Sequence, residues 1–377
     1  MTLALRKTFM TPITYNSPNR LIAGYGSPVR VNLSIGSERL GTTRRELEKL
    51  RAILQSEHCP DMLMDLSVVD TGKELWQCIR EHFTGPIGIL PHYLSFNEDT
   101  GLDAGRLFDR IRWAIEGGVN FITVHCTPTP SLLQLAKQRL TPVTSRGGGL
   151  IIRDMLMRQR QGSVYAEIFT ELCDLARQNH CVLNLGTTFR APSVAAGLDQ
   201  TCIAEIREQS RFIELAHDAG VSVVLEGPGH IQLHQIEGYW KLIEPLRVVP
   251  MPLGPIVTAS DPAMDHVAAA IGAAAIMQKS RGGIINAITS VEHQGGVPSL
   301  SLSLEGLRTA RVAAQAASLT YCGTSLLAEE KVARLRAIGD SCVIGSKEPG
   351  CARCSTLCPL AASPYNLRSS LMAETTQ

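Results

Sequence analysis

The chain has 377 residues, with 36 Lys and Arg against 35 Asp and Glu, 44% apolar residues and 19% charged ones. The apolar share excludes a disordered chain, and the near-neutral balance offers no basic excess to attract nucleic acid. No apolar run reaches the ~18 residues of a membrane span, and Met1–Pro12 lacks the apolar stretch and cleavage site of a signal peptide, so a cytoplasmic protein is expected.

Short apolar, β-branched runs alternate with amphipathic stretches along most of the chain. The predicted strands are Val29–Gly36, Met62–Val68, Gly85–His92, Phe121–Cys126, Cys181–Gly186, Val221–Gly227, Val248–Gly254 and Ile284–Ser290, with a ninth extended piece before Ser145. The predicted helices include Thr43–Glu57, Ala104–Gly117, Tyr165–Gln178, Ile203–Ala219 and Met264–Met277. Repeated β-then-α units with continuous apolar strands imply a parallel sheet covered by helices. About eight repeats suit a (β/α)8 barrel, the fold class expected here. An open doubly wound sheet is the alternative, weakened because no glycine-rich dinucleotide fingerprint follows the first strand. After Pro298 the pattern changes to a helix over Leu304–Leu319, capped by Ser303, and a second over Leu326–Ile338. The expected organisation is an N-terminal arm over 1–28, a barrel over 29–298, and C-terminal helices with a cysteine-rich loop over 299–377.

A barrel gathers its functional groups at the C-terminal ends of its strands. Polar residues stand there at Ser34, Met64-Asp65-Leu66-Ser67, Pro91-His92-Tyr93, His125, Arg190, Glu226-Gly227-Pro228-Gly229-His230 and Glu292-His293. Ser145-Arg146-Gly147-Gly148-Gly149 reads as a loop whose glycines admit a ligand close to the backbone and whose arginine can fork onto a phosphate. His230 and His293 are a candidate two-histidine site for Zn or Fe, with coordination positions left open.

Eleven cysteines is an odd count, and eight of them are scattered singly, unlike a secreted disulfide framework. The other three form Cys351-x2-Cys354-x3-Cys358. Closely spaced thiolates of this kind bind a cubane iron–sulfur cluster, and three ligands leave one iron open to a small molecule. A structural zinc site, a redox disulfide or plain loop cysteines are the other readings.

Taken together, these motifs resemble the phosphomethylpyrimidine synthase (ThiC) family, which includes the 5-hydroxybenzimidazole synthases. The resemblance runs from about Val29 to Cys358. Its most specific pieces are MDLS at Met64–Ser67, SRGG at Ser145–Gly148, EGPGH at Glu226–His230, LGP at Leu253–Pro255, DH followed by AIGAA within Asp265–Ala274, and the helix Leu304–Ala317.

The resemblance implies a noncanonical radical S-adenosylmethionine lyase with a (β/α)8 barrel, acting on 5-aminoimidazole ribotide as a homodimer. It implies a 4Fe-4S cluster on Cys351, Cys354 and Cys358, reduced by a donor such as flavodoxin or ferredoxin, and a Zn or Fe ion on His230 and His293. Ribotide contacts carried over by motif are Met64, Tyr93, His125, Ser145, Arg146, Gly147, Arg190 and Glu226, with Glu226 also placed among the catalytic groups.

The chain departs from the family pattern at several points. The cysteine loop is one residue shorter than the usual C-x2-C-x4-C. Ser34 replaces a ligand-binding Asn, Thr187 stands where the family has Asp, Met251 replaces a Tyr, and Thr289-Ser290-Val291-Glu292-His293 replaces Thr-Pro-Lys-Glu-His. Lost hydrogen-bonding groups change discrimination strongly. These departures point to a paralogue making a 5-hydroxybenzimidazole-type product. The alternatives are the pyrimidine phosphate synthase of thiamine biosynthesis and a catalytically silent ribotide- or metal-binding protein.

Overall fold

The computed structural model describes residues 11–69 and 72–338. Eight parallel strands make one sheet: β1 Arg30–Ile35, β2 Met62–Asp65, β3 Ile87–Ile89, β4 Phe121–Val124, β5 Val182–Leu185, β6 Val223–Leu225, β7 Val249–Pro250 and β8 Ile284–Asn286. Their order is β7-β6-β5-β4-β3-β2-β1-β8, so each strand pairs with its sequence neighbour and β8 returns beside β1. The two end strands meet through side chains. Asn286 Nδ2 donates to the carbonyls of Met251 and Pro252 at 3.1 and 3.0 Å, and a Cβ on Gly283 would stand 2.8 Å from Pro250 O. The sheet is thereby nearly closed into a barrel, as the alternating pattern predicts, and the open-sheet alternative falls. The ninth extended piece does not form: residues 137–145 are turns and coil between helices Pro130–Ala136 and Arg146–Met157.

Alternation along the strands sorts the core into two layers. Met62, Met64, Phe121, Val182, Val224, Val249 and Ile284 point inward and pack with Tyr15 of an N-terminal hairpin, Ile13–Tyr15 with Leu21–Ala23. Gly88 is the inward position of β3; a Cβ there would lie 2.2 Å from the Phe121 ring, so a single aromatic fills the space of two residues. Leu33, Leu63, Ile122, Leu183, Val223 and Ile285 point outward against helix residues such as Leu50, Ile53, Ile79, Leu107, Ile111 and Ile276. Each fully buried aliphatic side chain of this kind contributes roughly 1.5–3 kcal/mol. A polar layer lies inside the barrel: Asn184 Nδ2 donates to Thr123 Oγ1 and Asn32 Nδ2 to Asn286 Oδ1, each at 2.8 Å.

Two helices come close enough to the sheet side to require glycine. A Cβ on Gly272, in the helix Asp265–Ser280, would stand 2.0 Å from Pro255 O, and one on Gly306, in the helix Leu300–Ser318, 2.4 Å from Ile288 O. The second helix is capped by Ser299, whose Oγ accepts from Leu302 N, and not by Ser303, which is buried inside it. It fastens to the barrel through Arg311 Nη1 on Asp61 Oδ2 at 2.6 Å and through Ser318 Oγ, which accepts from Val29 N. The predicted helix Tyr165–Gln178 divides into Val164–Glu167 and Phe169–Gln178. The compact unit that contains the barrel runs to Tyr321, and a second unit begins at Cys322 with the helix Gly323–Ile338.

Candidate active site

The Ser145-Arg146-Gly147-Gly148-Gly149 segment is the start of a helix, not a loop. Ser145 has extended backbone and its Oγ accepts from Gly148 N at 3.1 Å, the geometry of an N-cap. Sequence reasoning missed this because three glycines disfavour a helix by propensity alone. Their presence has a packing reason. A Cβ on Gly147 would meet His125 Nε2 at 2.7 Å and His92 Nε2 at 3.0 Å, and one on Gly148 would meet Thr188 Cα at 2.7 Å. The first-turn amides of Arg146 and Gly147 have no partner within the helix, and this helix start lies at the C-terminal face of the barrel. Arg146 adds a cation there: its guanidinium lies 4.7 Å from the Tyr93 ring centre and Nε donates to the Tyr93 hydroxyl at 3.1 Å.

Beneath this turn lie two buried imidazoles. His92 Nδ1 pairs with the Tyr165 hydroxyl at 2.9 Å, and His125 Nδ1 with Thr188 Oγ1 at 3.0 Å. Burial, with Arg146 nearby, pushes His92 down to about 3. Burial also holds His125 well below its usual range, with His92 and Arg190 adding to the effect. Both rings are neutral near pH 7.

Glu226 follows β6 and is buried. Its Oε2 accepts from Thr187 N at 3.1 Å and faces Arg190 Nη1 at 3.5 Å. Burial raises its pKa, against the opposing pull of Arg190 and the Thr187 amide. The strand Pro228–His230 then pairs in parallel with Leu253–Ile256, so the EGPGH and LGP motifs lie side by side above the barrel rim. Ala191 joins them: its amide donates to Pro228 O, and its carbonyl accepts from His230 N at 3.0 Å. Gly229 has φ +82 and a Cβ there would lie 2.6 Å from Ala191 O, so only glycine fits. Arg190 is the common neighbour, since its charge acts on Tyr93, His125, Glu226 and His230.

His230 and His293 come together as the sequence suggested, with ring centres 4.8 Å apart and planes tilted by 57°. His230 Nδ1 donates to Ala191 O at 3.3 Å and His293 Nδ1 donates to Asp265 Oδ2 at 3.1 Å. Nδ1 of each ring is thereby engaged, and Nε2 of neither has a hydrogen-bond partner among the described residues. Burial, then the neighbouring His293, pushes His230 down to about 4, which keeps it neutral as a ligand must be. Two adjacent imidazoles whose Nδ1 atoms are engaged fit a divalent ion through Nε2, and no group of three or more His, Cys, Asp or Glu side chains gathers into a metal site among the described residues.

Of the predicted ribotide contacts, Tyr93, His125, Ser145, Arg146, Gly147, Arg190 and Glu226 stand on strand ends or the loops and turn beyond them. Met64 is buried with its side chain in the barrel interior beneath them. Its neighbour Asp65 is structural, accepting from Ser67 N and Trp76 N at 2.8 Å each. Cys351, Cys354 and Cys358 lie outside the described residues. The seven described cysteines are all free. A cavity of about 340 Å³ lined by Leu135, Arg139, Pro192 and Asp199 includes none of the predicted contacts.

Two residues were missed in the sequence. Asp265 holds His293. Glu205, on the helix Gln200–Asp218, is fully buried and accepts from Thr188 N and Phe189 N at 2.7 Å each and from Thr127 Oγ1 at 2.6 Å. It ties the loops after β4 and β5, which carry His125 and Arg190.

A nearly closed parallel barrel with a helix start, an arginine and a histidine pair gathered at its rim has the architecture of a (β/α)-barrel enzyme. The profile of the Radical SAM ThiC family matches residues 8–341, and the chain belongs to that family. The match ends ahead of the three C-terminal cysteines.

The chain is 32% identical over 347 residues to phosphomethylpyrimidine synthase of Desulforamulus reducens, covering 87% of this chain and 78% of that one. It is 33% identical to the protein of the same name from Carboxydothermus hydrogenoformans, covering 78% and 71%. It is 32% identical to phosphomethylpyrimidine synthase 2 of Syntrophotalea carbinolica, covering 79% and 71%. The chain is thus a ThiC-type radical S-adenosylmethionine enzyme, and membership implies S-adenosylmethionine and a 4Fe-4S cluster. No helix of the described residues is long and apolar enough to cross a membrane.

Proposed function

We propose that the enzyme rearranges an aminoimidazole ribotide, and that its product is the pyrimidine phosphate and not the benzimidazole suggested by Ser34, Thr187 and Met251. The relatives carry the name of the pyrimidine synthase, and Thr187 is absorbed by its surroundings: its hydroxyl donates to Glu226 O and accepts from Gln209 Nε2. The observation that carries the reading is the N-capped helix start at Ser145 on the same rim as Arg190, Glu226 and the histidine pair. The first-turn amides, Arg146 and Arg190 bind the phosphate. Tyr93, His125 and Glu226 orient the heterocycle and ribose above Met64, and the covered barrel excludes water. Glu226, with its raised pKa, exchanges a proton with the bound ribotide. His230 and His293 hold a Zn or Fe ion through Nε2. Cys351, Cys354 and Cys358 would hold the cluster, with a flavodoxin- or ferredoxin-type protein as its electron donor, in a cytoplasmic homodimer. When bound, the cluster and S-adenosylmethionine supply the carbon radical that starts the rearrangement.

Mass spectrometry of products after anaerobic turnover with aminoimidazole ribotide tests this. A pyrimidine phosphate is expected, with 5′-deoxyadenosine that disappears in Cys354→Ala. A benzimidazole product overturns the product assignment, and ribotide binding without 5′-deoxyadenosine overturns the enzymatic reading.

A further inference from the structure

Asp265 opens the helix Asp265–Ser280, where an acidic side chain ordinarily serves only the helix dipole. Here it does more. One carboxylate oxygen, Oδ2, accepts from both the backbone N and the ring Nδ1 of His293, each at 3.1 Å. Asp265 is buried, whereas the His293 side chain is 44% exposed, with the His230 ring 4.8 Å away. The helix that carries Asp265 is itself fixed against the strand Leu253–Ile256 by the close approach at Gly272, and that strand pairs with Pro228–His230. His230 and Asp265 are thus both referred to one rigid strand-and-helix unit, and His293 reaches that unit through Asp265.

Resting on the reading of His230 and His293 as a metal pair, we propose that Asp265 is a positioning residue for that metal. It sets the Nδ1–H tautomer of His293 and aims Nε2 toward the ion. His230 has the same tautomer from the neutral Ala191 carbonyl, so Asp265 supplies the site's only charged partner to a ligand ring among the described hydrogen bonds. An anionic acceptor behind a ligand imidazole strengthens metal binding, and its loss typically costs 10–100-fold in affinity.

The test is zinc titration by calorimetry of the full chain, stripped of metal, as wild type, Asp265→Asn and Asp265→Ala. It is paired with 15N-histidine NMR of the metal-free proteins, which reports the tautomer without any metal or turnover. Zinc affinity should fall about 10-fold in Asp265→Asn, which keeps a neutral acceptor, and toward 100-fold in Asp265→Ala. The His293 Nδ1–H tautomer should dominate in wild type and mix with Nε2–H in Asp265→Ala. Affinities within twofold of wild type in both variants, or an Nε2–H tautomer in wild type, overturn the proposal. If Asp265→Ala loses its fold by circular dichroism, Asp265→Asn alone decides. A wild type that binds no zinc and no ferrous iron instead refutes the two-histidine reading, while the tautomer measurement still judges the contact.

Discussion

The adjacent glycines Gly148 and Gly149 give a sharp test of how the helix start at Ser145 is built, because alanine should act oppositely at the two. A Cβ on Gly148 would stand 2.6 Å from Thr188 Cγ2, 2.7 Å from its Cα and 2.8 Å from its Cβ. Thr188 cannot give way, since it is fully buried, its amide is held by Glu205 and its hydroxyl by His125. Either the helix start or the Thr187–Arg190 loop must move. Overpacking of this kind costs ~1–3 kcal/mol, and a backbone contact places it at the upper end. The gain in helix propensity from Gly to Ala returns about 1 kcal/mol. The expected net loss in Gly148→Ala is therefore about 1–2 kcal/mol. Nothing lies within 4 Å of a Cβ on Gly149, so Gly149→Ala keeps only the propensity term and should gain about 0.5–1 kcal/mol. Urea unfolding followed by circular dichroism should separate the two variants by about 2 kcal/mol, with ribotide affinity reduced only in Gly148→Ala. Equal stability of the two variants would refute the packing account of the turn.

Three further outcomes follow from particular contacts. Burial raises Glu205 to about 7, so between the ordinary glutamate range and pH 7 the native state binds more protons than the unfolded one and stability falls as pH rises, by about 3 kcal/mol in all. Glu205→Gln should abolish that slope in urea midpoints taken from pH 5 to 8. It should be less stable than wild type at pH 5, where one loop amide loses its acceptor, with the gap narrowing above pH 7; parallel curves would contradict this. Gly272→Ala should lose about 2 kcal/mol or more in the same assay, because its Cβ meets a backbone carbonyl at 2.0 Å. Arg146→Lys keeps the charge but loses the planar stack on Tyr93, so calorimetry should show about 10-fold weaker ribotide binding at unchanged melting temperature.

Each of the eight barrel strands lies within an apolar, β-branched run visible in the sequence, because strands buried on both faces need such runs. Their ends were overestimated for a physical reason. The residues past Asp65, Ile89, Val124 and Leu185 leave the ladder to place polar groups on the rim, and they keep the apolar neighbours that made them look like strand. The histidine pair was also legible, since strands far apart in sequence end on one face of a barrel. Asp265 was not, because a carboxylate in a first helical turn has an ordinary explanation. Glu205 left a trace that was passed over. Cys202, Glu205, Ile206 and Gln209 recur at helical spacing on the buried side of Gln200–Asp218, and a Glu with a Gln on an apolar stripe is a sign of buried partners. The helix start at Ser145 was beyond reach, because the glycines answer to Thr188, His125 and His92, which only the fold brings beside them.

The departures from the family pattern fall unevenly around the barrel, and this bears on what the pocket accepts. Thr187 sits where the family has a carboxylate, yet its hydroxyl and amide hold both the backbone and the side chain of Glu226, and Gln209 supplies the remaining bond. The wall formed by β4, β5 and β6 therefore keeps its shape without an acid at 187, and with it the placement of His125, Arg190 and Glu226. Ser34 and Met251 lie elsewhere. Ser34 continues the inward face of β1 above Asn32, and Met251 follows β7, fully buried, its carbonyl taking a bond from Asn286 across the closing seam. Two polar groups of the family pattern are thus reduced on the side where the barrel closes, while the opposite side retains its charged and hydrogen-bonding set. Under the proposed function the Ser145 turn and the β4–β6 wall would hold the ligand, and the seam between β7, β8 and β1 is where a change of heterocycle would be read. Restoring bulk and polarity there with Ser34→Asn and Met251→Tyr would change selectivity between ribotide analogues while leaving phosphate recognition by the Ser145 turn intact.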